Sequence, residues 1–377
     1  MNEFSTRSNI ASLQERILSL PAQDRKQVER IFHISTTRGE TVPPEAMDAW
    51  IAGQFGSVQS VREQQVVKVT NRVTMEGAVF NALRASRPID APEGTGDLED
   101  WLAASESSAG GPFCDPERLT PADSFGRIRG KASLTASNVA KYDGWHGVVI
   151  FDEHAPLQFT CEQVSDYLDT AQAWARAAHR SDPDACYPFF LWNCLWRSGA
   201  SIIHGHAQMT LTRGMHYARV EGWRQAATRY GLADGAGYFP DLVAAHRVLG
   251  LAVQHGTAAI LPSLTPFKEM ETYIISPGFG DDLKSAIYRV LHTFVERLGT
   301  RSFNLGLYQP PLCPTSESWE GFPFVARVLD RGRLDSRTSD IGAMEIFAQS
   351  VVSTDPYLVA DALRLEPGRV SPATGSH

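Results

Sequence analysis

Apolar positions in this chain follow two rhythms. Some stretches repeat them at helical spacing, others alternate or run continuously as strands do. Residues 10–20 and 28–34 have helical spacing, and Pro43-Pro44 followed by Glu45 opens a further short helix. Residues 66–73 alternate as a strand, and 89–111, acidic and rich in Gly, Ala and Ser, read as a loop. Residues 148–151 form a continuous apolar run, the mark of a central strand. Residues 162–178 place Val164, Leu168, Ala171, Trp174, Ala175 and Ala178 on one helical face, and strands are expected at 188–192 and 209–212. Two more helices are read at 217–230 and 241–251. The order then recurs, with strands at 257–262 and 271–275, an amphipathic helix over 281–298, a strand at 303–308 and a further one at 322–329. The pattern predicts an α+β chain in four parts: a helical N-terminal extension (1–58), a first half (59–214), a second half of similar plan (215–365) and a frayed tail (366–377).

The chemistry concentrates in one stretch, Asn193-Cys-Leu-Trp-Arg-Ser-Gly-Ala-Ser-Ile-Ile-His-Gly-His-Ala-Gln208. Residues two apart on a strand face the same side, so His204, His206 and Gln208 would share a face. Ser198, Gly199, Ala200 and Ser201 form a small-residue turn that brings backbone N–H groups close to a ligand and suits phosphate. A bare His-x-His on a strand is more often structural than catalytic. The full spacing is more specific: Asn, five residues, Gly-x-Ser, two residues, His-x-His-x-Gln.

That string resembles the active site of the nucleotidyltransferase branch of the histidine-triad superfamily. The branch includes galactose-1-phosphate uridylyltransferase, dinucleoside tetraphosphate phosphorylase and ADP-glucose phosphorylase. The resemblance spans roughly residues 70–350 and implies two fused histidine-triad-like repeats, each an antiparallel sheet with packed helices. The second repeat has no His-x-His and reads as degenerate. By the same resemblance His206 is the nucleophile, with one ring nitrogen held on a backbone carbonyl of the His-x-His turn. Gln208 stands where the superfamily's hydrolases carry a third histidine, which favours transfer between phosphates over hydrolysis. A leaving phosphate departs as a stable anion, and a glutamine can donate to the phosphoryl oxygens instead. Ser201 and the Gly199 backbone would bind phosphate, and Asn193 would orient phosphates or ribose.

Three further stretches carry weaker likenesses. Arg84-Ala-Ser-Arg87-Pro resembles the phosphate-contacting segment of the uridylyltransferases, and arginine forks well onto phosphate oxygens. Asn138 to His154 resembles the superfamily's strand–turn–strand hairpin, with Asn138 and His146 as supporting residues near the phosphate. Bacterial uridylyltransferases often bind zinc here through Cys-x-x-Cys and two histidines. In this chain the first cysteine is Gly111, leaving Cys114, His154 and His204, with Asp115 or Glu117 to supply a fourth ligand or the site left empty. No organic cofactor is expected. Gly342 and Glu345 match loosely a sugar-recognising Gly-Tyr-Glu segment that here lacks its tyrosine.

Composition narrows the picture further. The chain has 377 residues, 43% hydrophobic and 21% charged, as ordinary globular proteins do. A net charge of −8 argues against general nucleic-acid or anionic-membrane binding. No apolar run is long enough to span a bilayer, and no continuous apolar core of a signal peptide is present. The five cysteines show no Cys-x-x-Cys spacing and read as reduced thiols of a cytoplasmic protein. The expected partners are a nucleotide or nucleotide-sugar substrate and a phosphorylated acceptor, and the resemblance adds a homodimer. Two other readings remain open on the sequence: a hydrolase of the same superfamily, or a non-catalytic nucleotide-binding protein.

Overall fold

A computed structural model describes residues 8–86, 110–234, 237–336 and 338–365. Among these, the strands in chain order begin with β1 (Phe32–Glu40), β2 (Glu63–Asn71), β3 (Gly77–Phe80), β4 (Ser133–Ser137), β5 (Trp145–Phe151), β6 (Ala185–Cys194) and β7 (His206–Arg213). They continue with β8 (Val253–His255), β9 (Ala258–Pro262), β10 (Thr272–Ser276), β11 (Phe303–Tyr308), β12 (Phe324–Asp330) and β13 (Ser350–Val352). Nine of them form one sheet in the order β4-β5-β7-β6-β11-β12-β10-β9-β8. Its pairings are antiparallel.

Outward from the β6–β11 seam, β6-β7-β5-β4 on one side mirrors β11-β12-β10-β9 on the other. Each half is a hairpin, a crossover helix and a second strand pair, as the repeated sequence order predicts. The two halves share a single sheet because β6 pairs directly with β11, with Asn304 opposite Asn193.

Both crossover helices, Cys161–Ser181 and Asp281–Glu296, lie on one face of the sheet. The first is started by a reciprocal cap. Thr160 Oγ1 accepts the Gln163 N–H at 3.2 Å, and Gln163 Oε1 accepts the Thr160 N–H at 2.8 Å. Gly147 on β5 makes room for this helix, since a Cβ there would lie 2.7 Å from Trp174. Leu168, Trp174, Ile287, Val290 and Phe294 then share one core with Ala207, Met209, Leu305 and Val328 of the strands.

The opposite face differs between the halves. In the second half it is closed by the helices Ala218–Asp234 and Tyr238–Val248 and by a small sheet in the order β1-β2-β3-β13. At the centre of this closed face sits Arg327 on β12. It is bound at 2.8 Å to Glu271 and at 2.8 Å to Glu76. The rings of Trp223, Tyr273 and Tyr308 surround its guanidinium at 5.0, 5.1 and 5.7 Å. In the first half the same face carries His206, Gln208 and His146, under a thin cover that includes Phe113.

Two expectations are corrected. The N-terminal extension is helical at Leu13–Ser19, Ala22–Ile31 and Asp48–Phe55, but Phe32–Glu40 between them is strand β1. Its β-branched Ile34, Thr36 and Thr37 suit the antiparallel ladder it makes with β2, and that partner is distant in sequence. The cysteines are not all reduced thiols, because Cys186 and Cys313 form a disulfide across 127 residues of sequence. Cross-linking so long a loop restricts the unfolded chain by an amount on the order of 2–4 kcal/mol. Cys313→Ser should therefore lower the urea midpoint of oxidised protein to that of wild type treated with reductant. Equal midpoints for oxidised and reduced wild type would remove any stabilising role for the bond.

The candidate active site

Gly205 organises the site. Its N–H donates to the His154 carbonyl at 3.0 Å, and its carbonyl accepts the Phe151 N–H at 3.0 Å. A Cβ there would lie 2.8 Å from the Phe151 ring, so only glycine lets the chain pass so close to the end of β5. The clamped peptide sets the directions of both neighbouring histidines. β7 begins at His206, so His204 stands just before the strand and does not share a ladder face with His206 and Gln208. This corrects the alternation expected for all three.

His206 is 7% exposed. Its Nδ1 lies 2.8 Å from the His204 carbonyl oxygen. A carbonyl only accepts, so Nδ1 carries the proton and Nε2 presents a lone pair. Burial lowers the imidazole's pKa and favours this neutral form. The Phe113 ring meets His206 edge-on, with centroids 5.1 Å apart.

Gln208 lies two residues further along β7. Its Oε1 is 2.8 Å from His146 Nε2 on β5, and Asn138 Nδ2 is 3.2 Å from the same nitrogen. His146, Gln208 and Asn138 are thus brought together. Asn193, on β6, bonds through Oδ1 to Asn304 Nδ2 at 2.6 Å. Asn304 in turn accepts from Arg331 at 2.7 Å, and Arg331 forks onto Asp340 at 2.8 and 2.9 Å. Sequence reading missed Asn304 and Arg331, because only the β6–β11 register sets Asn304 beside Asn193, and Arg331, just past β12, joins through Asn304.

Between β6 and β7 the chain turns through Leu195, at φ 66 and ψ 174. That conformation is normal for glycine and costs other residues about 1–3 kcal/mol. The Leu195 carbonyl accepts Ser198 Oγ at 2.7 Å and the N–H groups of Ser198 and Ala200 at 3.2 Å. Gly199 follows with φ 98, and Gly199 and Ser201 both stand exposed on the turn. Arg197 is not a free charge at this turn. It donates to the Ser336 and Thr338 carbonyls at 3.2 and 2.7 Å, binding the segment after β12. Glu345 caps the Gly342 N–H at 2.9 Å and lies 3.8 Å from Lys268 Nζ. Arg84 is exposed on a short turn, Ala82–Ser86, after β3 of the small sheet. Arg87 lies outside the described residues.

Cys114, His154 and His204 converge as a second cluster. Cys114 Sγ is 3.6 Å from Nδ1 of each histidine, and the two Nδ1 atoms are 3.1 Å apart. Tetrahedral zinc, with bonds of about 2.3 Å to sulfur and about 2.05 Å to nitrogen, sets sulfur and nitrogen about 3.6 Å apart and two nitrogens about 3.3 Å apart. The observed triangle fits those edges. His204 Nε2 donates to the Phe151 carbonyl at 2.8 Å, which leaves its Nδ1 unprotonated toward the cluster. The three residues form the described His/Cys/Asp/Glu group at this place, and Asp115 instead pairs with Arg118 at 2.7 Å.

Comparison with known proteins agrees with this architecture. No family model and no curated protein matches the sequence. Among solved structures, an ADP-glucose phosphorylase from Arabidopsis thaliana with bound ADP-glucose superposes with a TM-score of 0.60 at 15% identity, covering 79% of this chain and 97% of that one. A galt-like protein from Arabidopsis thaliana gives 0.53 at 13% identity, covering 68% and 92%. A uridylyltransferase gives 0.52 at 16% identity, covering 65% and 87%. No helix of the described residues is long and apolar enough to cross a membrane. The chain therefore has the two-half, histidine-triad-like fold of the ADP-glucose phosphorylase and uridylyltransferase structures.

Proposed function

We propose that this protein is a nucleotidyltransferase that moves a nucleoside monophosphate between phosphate groups through a covalent intermediate on His206. The observation that carries the reading is the His206 tautomer, with Nδ1 tied to the His204 carbonyl and Nε2 left as a lone pair. A neutral imidazole is a competent nucleophile toward phosphorus near neutral pH. Nε2 attacks the α-phosphorus of the donor. The bond from that phosphorus to the bridging oxygen breaks, and the distal phosphate leaves as an anion that needs no proton. An oxygen of the acceptor phosphate then attacks the same phosphorus and the P–N bond breaks. Gln208 donates N–H groups to the phosphoryl oxygens in both steps.

Suitable donors are nucleotide sugars and dinucleoside polyphosphates, in keeping with the ADP-glucose bound to a similar structure. The acceptor is a sugar phosphate or inorganic phosphate. Asn193, bonded to Asn304 and through it to Arg331, lies beside β7 where donor phosphates or ribose would bind. The exposed Gly199–Ser201 turn offers backbone donors to the leaving phosphate.

Zinc belongs in the same proposal as a structural ion held by Cys114, His154 and His204. When bound, it would fix the His204 segment whose carbonyl orients His206. Cys114→Ser should reduce zinc, measured by plasma mass spectrometry, from about one ion per chain to well under half, and should lower the melting temperature. Unchanged zinc content in that variant, or none in wild type purified with zinc, would reject the assignment.

Intact-protein mass spectrometry under alkaline denaturing conditions tests the transfer reading. The protein is mixed separately with UDP-glucose, ADP-glucose, a GDP-sugar and diadenosine tetraphosphate. A mass gain of one nucleotidyl group, a nucleoside monophosphate less one water, supports the mechanism and names the base. Free monophosphate produced without any acceptor points to a hydrolase, and binding without an adduct points to a non-catalytic protein.

A further inference from the structure

The hydrogen bonds around His146 have a definite polarity. The Tyr142 backbone N–H donates to His146 Nδ1 at 2.9 Å, which requires a lone pair on that atom. His146 is buried, and burial favours its neutral form with a single ring proton. That proton therefore sits on Nε2. Nε2 must donate, and its acceptor at 2.8 Å is Gln208 Oε1. Asn138 Nδ2 lies 3.2 Å from Nε2, but both atoms carry hydrogen, so this contact is packing. Asn138 Oδ1 is engaged by the Ala140 N–H at 3.0 Å.

We propose that His146 is a positioning residue that holds the Gln208 amide in one of its two orientations, oxygen toward the imidazole and NH2 free to face a phosphoryl group bound at His206. The proposal rests on the nucleotidyl-transfer reading. A glutamine amide turned the other way would present its carbonyl oxygen to an anionic phosphoryl group and repel it. The Tyr142 N–H sets the tautomer, and the tautomer sets the amide. The loop that carries Tyr142 is fastened at both ends. Lys141 Nζ donates to Ser137 Oγ at 2.7 Å and to the His146 carbonyl at 3.1 Å. Asp143 accepts the Tyr217 hydroxyl at 2.9 Å, and that hydroxyl also lies 3.0 Å from Thr210 Oγ1 on β7. The Tyr142 ring stacks on the imidazole, with centroids 4.4 Å apart and planes at 23°.

His146→Leu, similar in volume and without polar atoms, is the test variant. Removing one preorganised donor to a developing oxyanion costs on the order of 10²–10³ in rate, so freeing Gln208 to flip should cost about 10–100-fold in kcat. KM should stay within about threefold, because a bound ground state needs the amide less. His146→Gln, which can accept from Tyr142 and donate to Gln208, should restore most of the loss. In a Gln208→Ala background His146→Leu should cost nothing further. An unchanged kcat in His146→Leu overturns the proposal, and so does an equal loss in both backgrounds. Nitrogen-15 NMR of the histidine rings reads the tautomer without any substrate. Protonated Nε2 with a bare Nδ1 at His146 supports the arrangement, and protonated Nδ1 overturns it. Absence of an adduct in wild type with every donor instead overturns nucleotidyl transfer, and the phosphoryl role of Gln208 with it.

Discussion

His206→Ala should form no nucleotidyl adduct with any donor and should lose at least about 10³-fold in transfer rate, the scale expected when a covalent nucleophile is deleted. The side chain has a lone pair on Nε2 only because Nδ1 is tied to the His204 carbonyl, and that carbonyl is held by the clamped Gly205 peptide. Its neighbours cannot replace it. Gln208 and Asn193 bear amides, which are poor nucleophiles, and His146 has its Nδ1 occupied and its Nε2 protonated. The ring contributes little to the main core beneath the sheet, which is built from Ala207, Met209 and the crossover helices. The variant should thus remain folded, with a wild-type circular dichroism spectrum and a melting temperature lower by a few degrees. Full transfer activity in a folded His206→Ala protein would end the covalent mechanism.

Arg327→Met should destabilise the protein by about 3–5 kcal/mol, the cost of stranding a buried charge. Glu271 is 2% exposed, and Arg327 is its cationic partner at 2.8 Å. Methionine fills much of the volume but leaves that buried carboxylate without its cationic partner, with the Phe267 N–H still donating to it at 2.6 Å. The Arg327→Met/Glu271→Gln double variant should regain part of the loss, because the buried anion is gone. Urea midpoints at constant slope measure both changes. A single variant within about 1 kcal/mol of wild type would show that the network is dispensable. The chemistry should survive in the fraction that stays folded, because Arg327 lies in the second half of the sheet and His206 in the first.

The same two side chains show how far the sequence could be read. The His206 string was legible because its spacing is dense: asparagine, small-residue turn, two histidines and a glutamine within sixteen residues. Local backbone geometry then carries much of the site, since the His206 bond spans only two residues. The second half was legible as a repeat of strands and a helix, but not as a closed face. Arg327 lies within the stretch 322–329 read as a strand, and its partners Glu76 and Glu271 lie 251 and 56 residues away.

Periodicity also failed at boundaries where a partner decides the structure. Residues 32–40 became β1 because β2 was there to pair with, and His204 fell outside β7 because Gly205 is pulled onto the end of β5. The grouping of Cys114, His154 and His204 follows from resemblance, yet its edge lengths exist only once residues 40 to 90 apart in the chain are brought together.

Local sequence by itself determined the strand–helix–strand order of each half, the neighbourhood of His206 and the small residues that make its turn, because these depend on side-chain size and on spacings of a few residues. Tertiary structure alone decided what encloses Arg327, which cysteines join, what holds Asn193 and which way Gln208 points. Those outcomes depend on pairings between residues up to 251 apart in the chain, which no local pattern encodes.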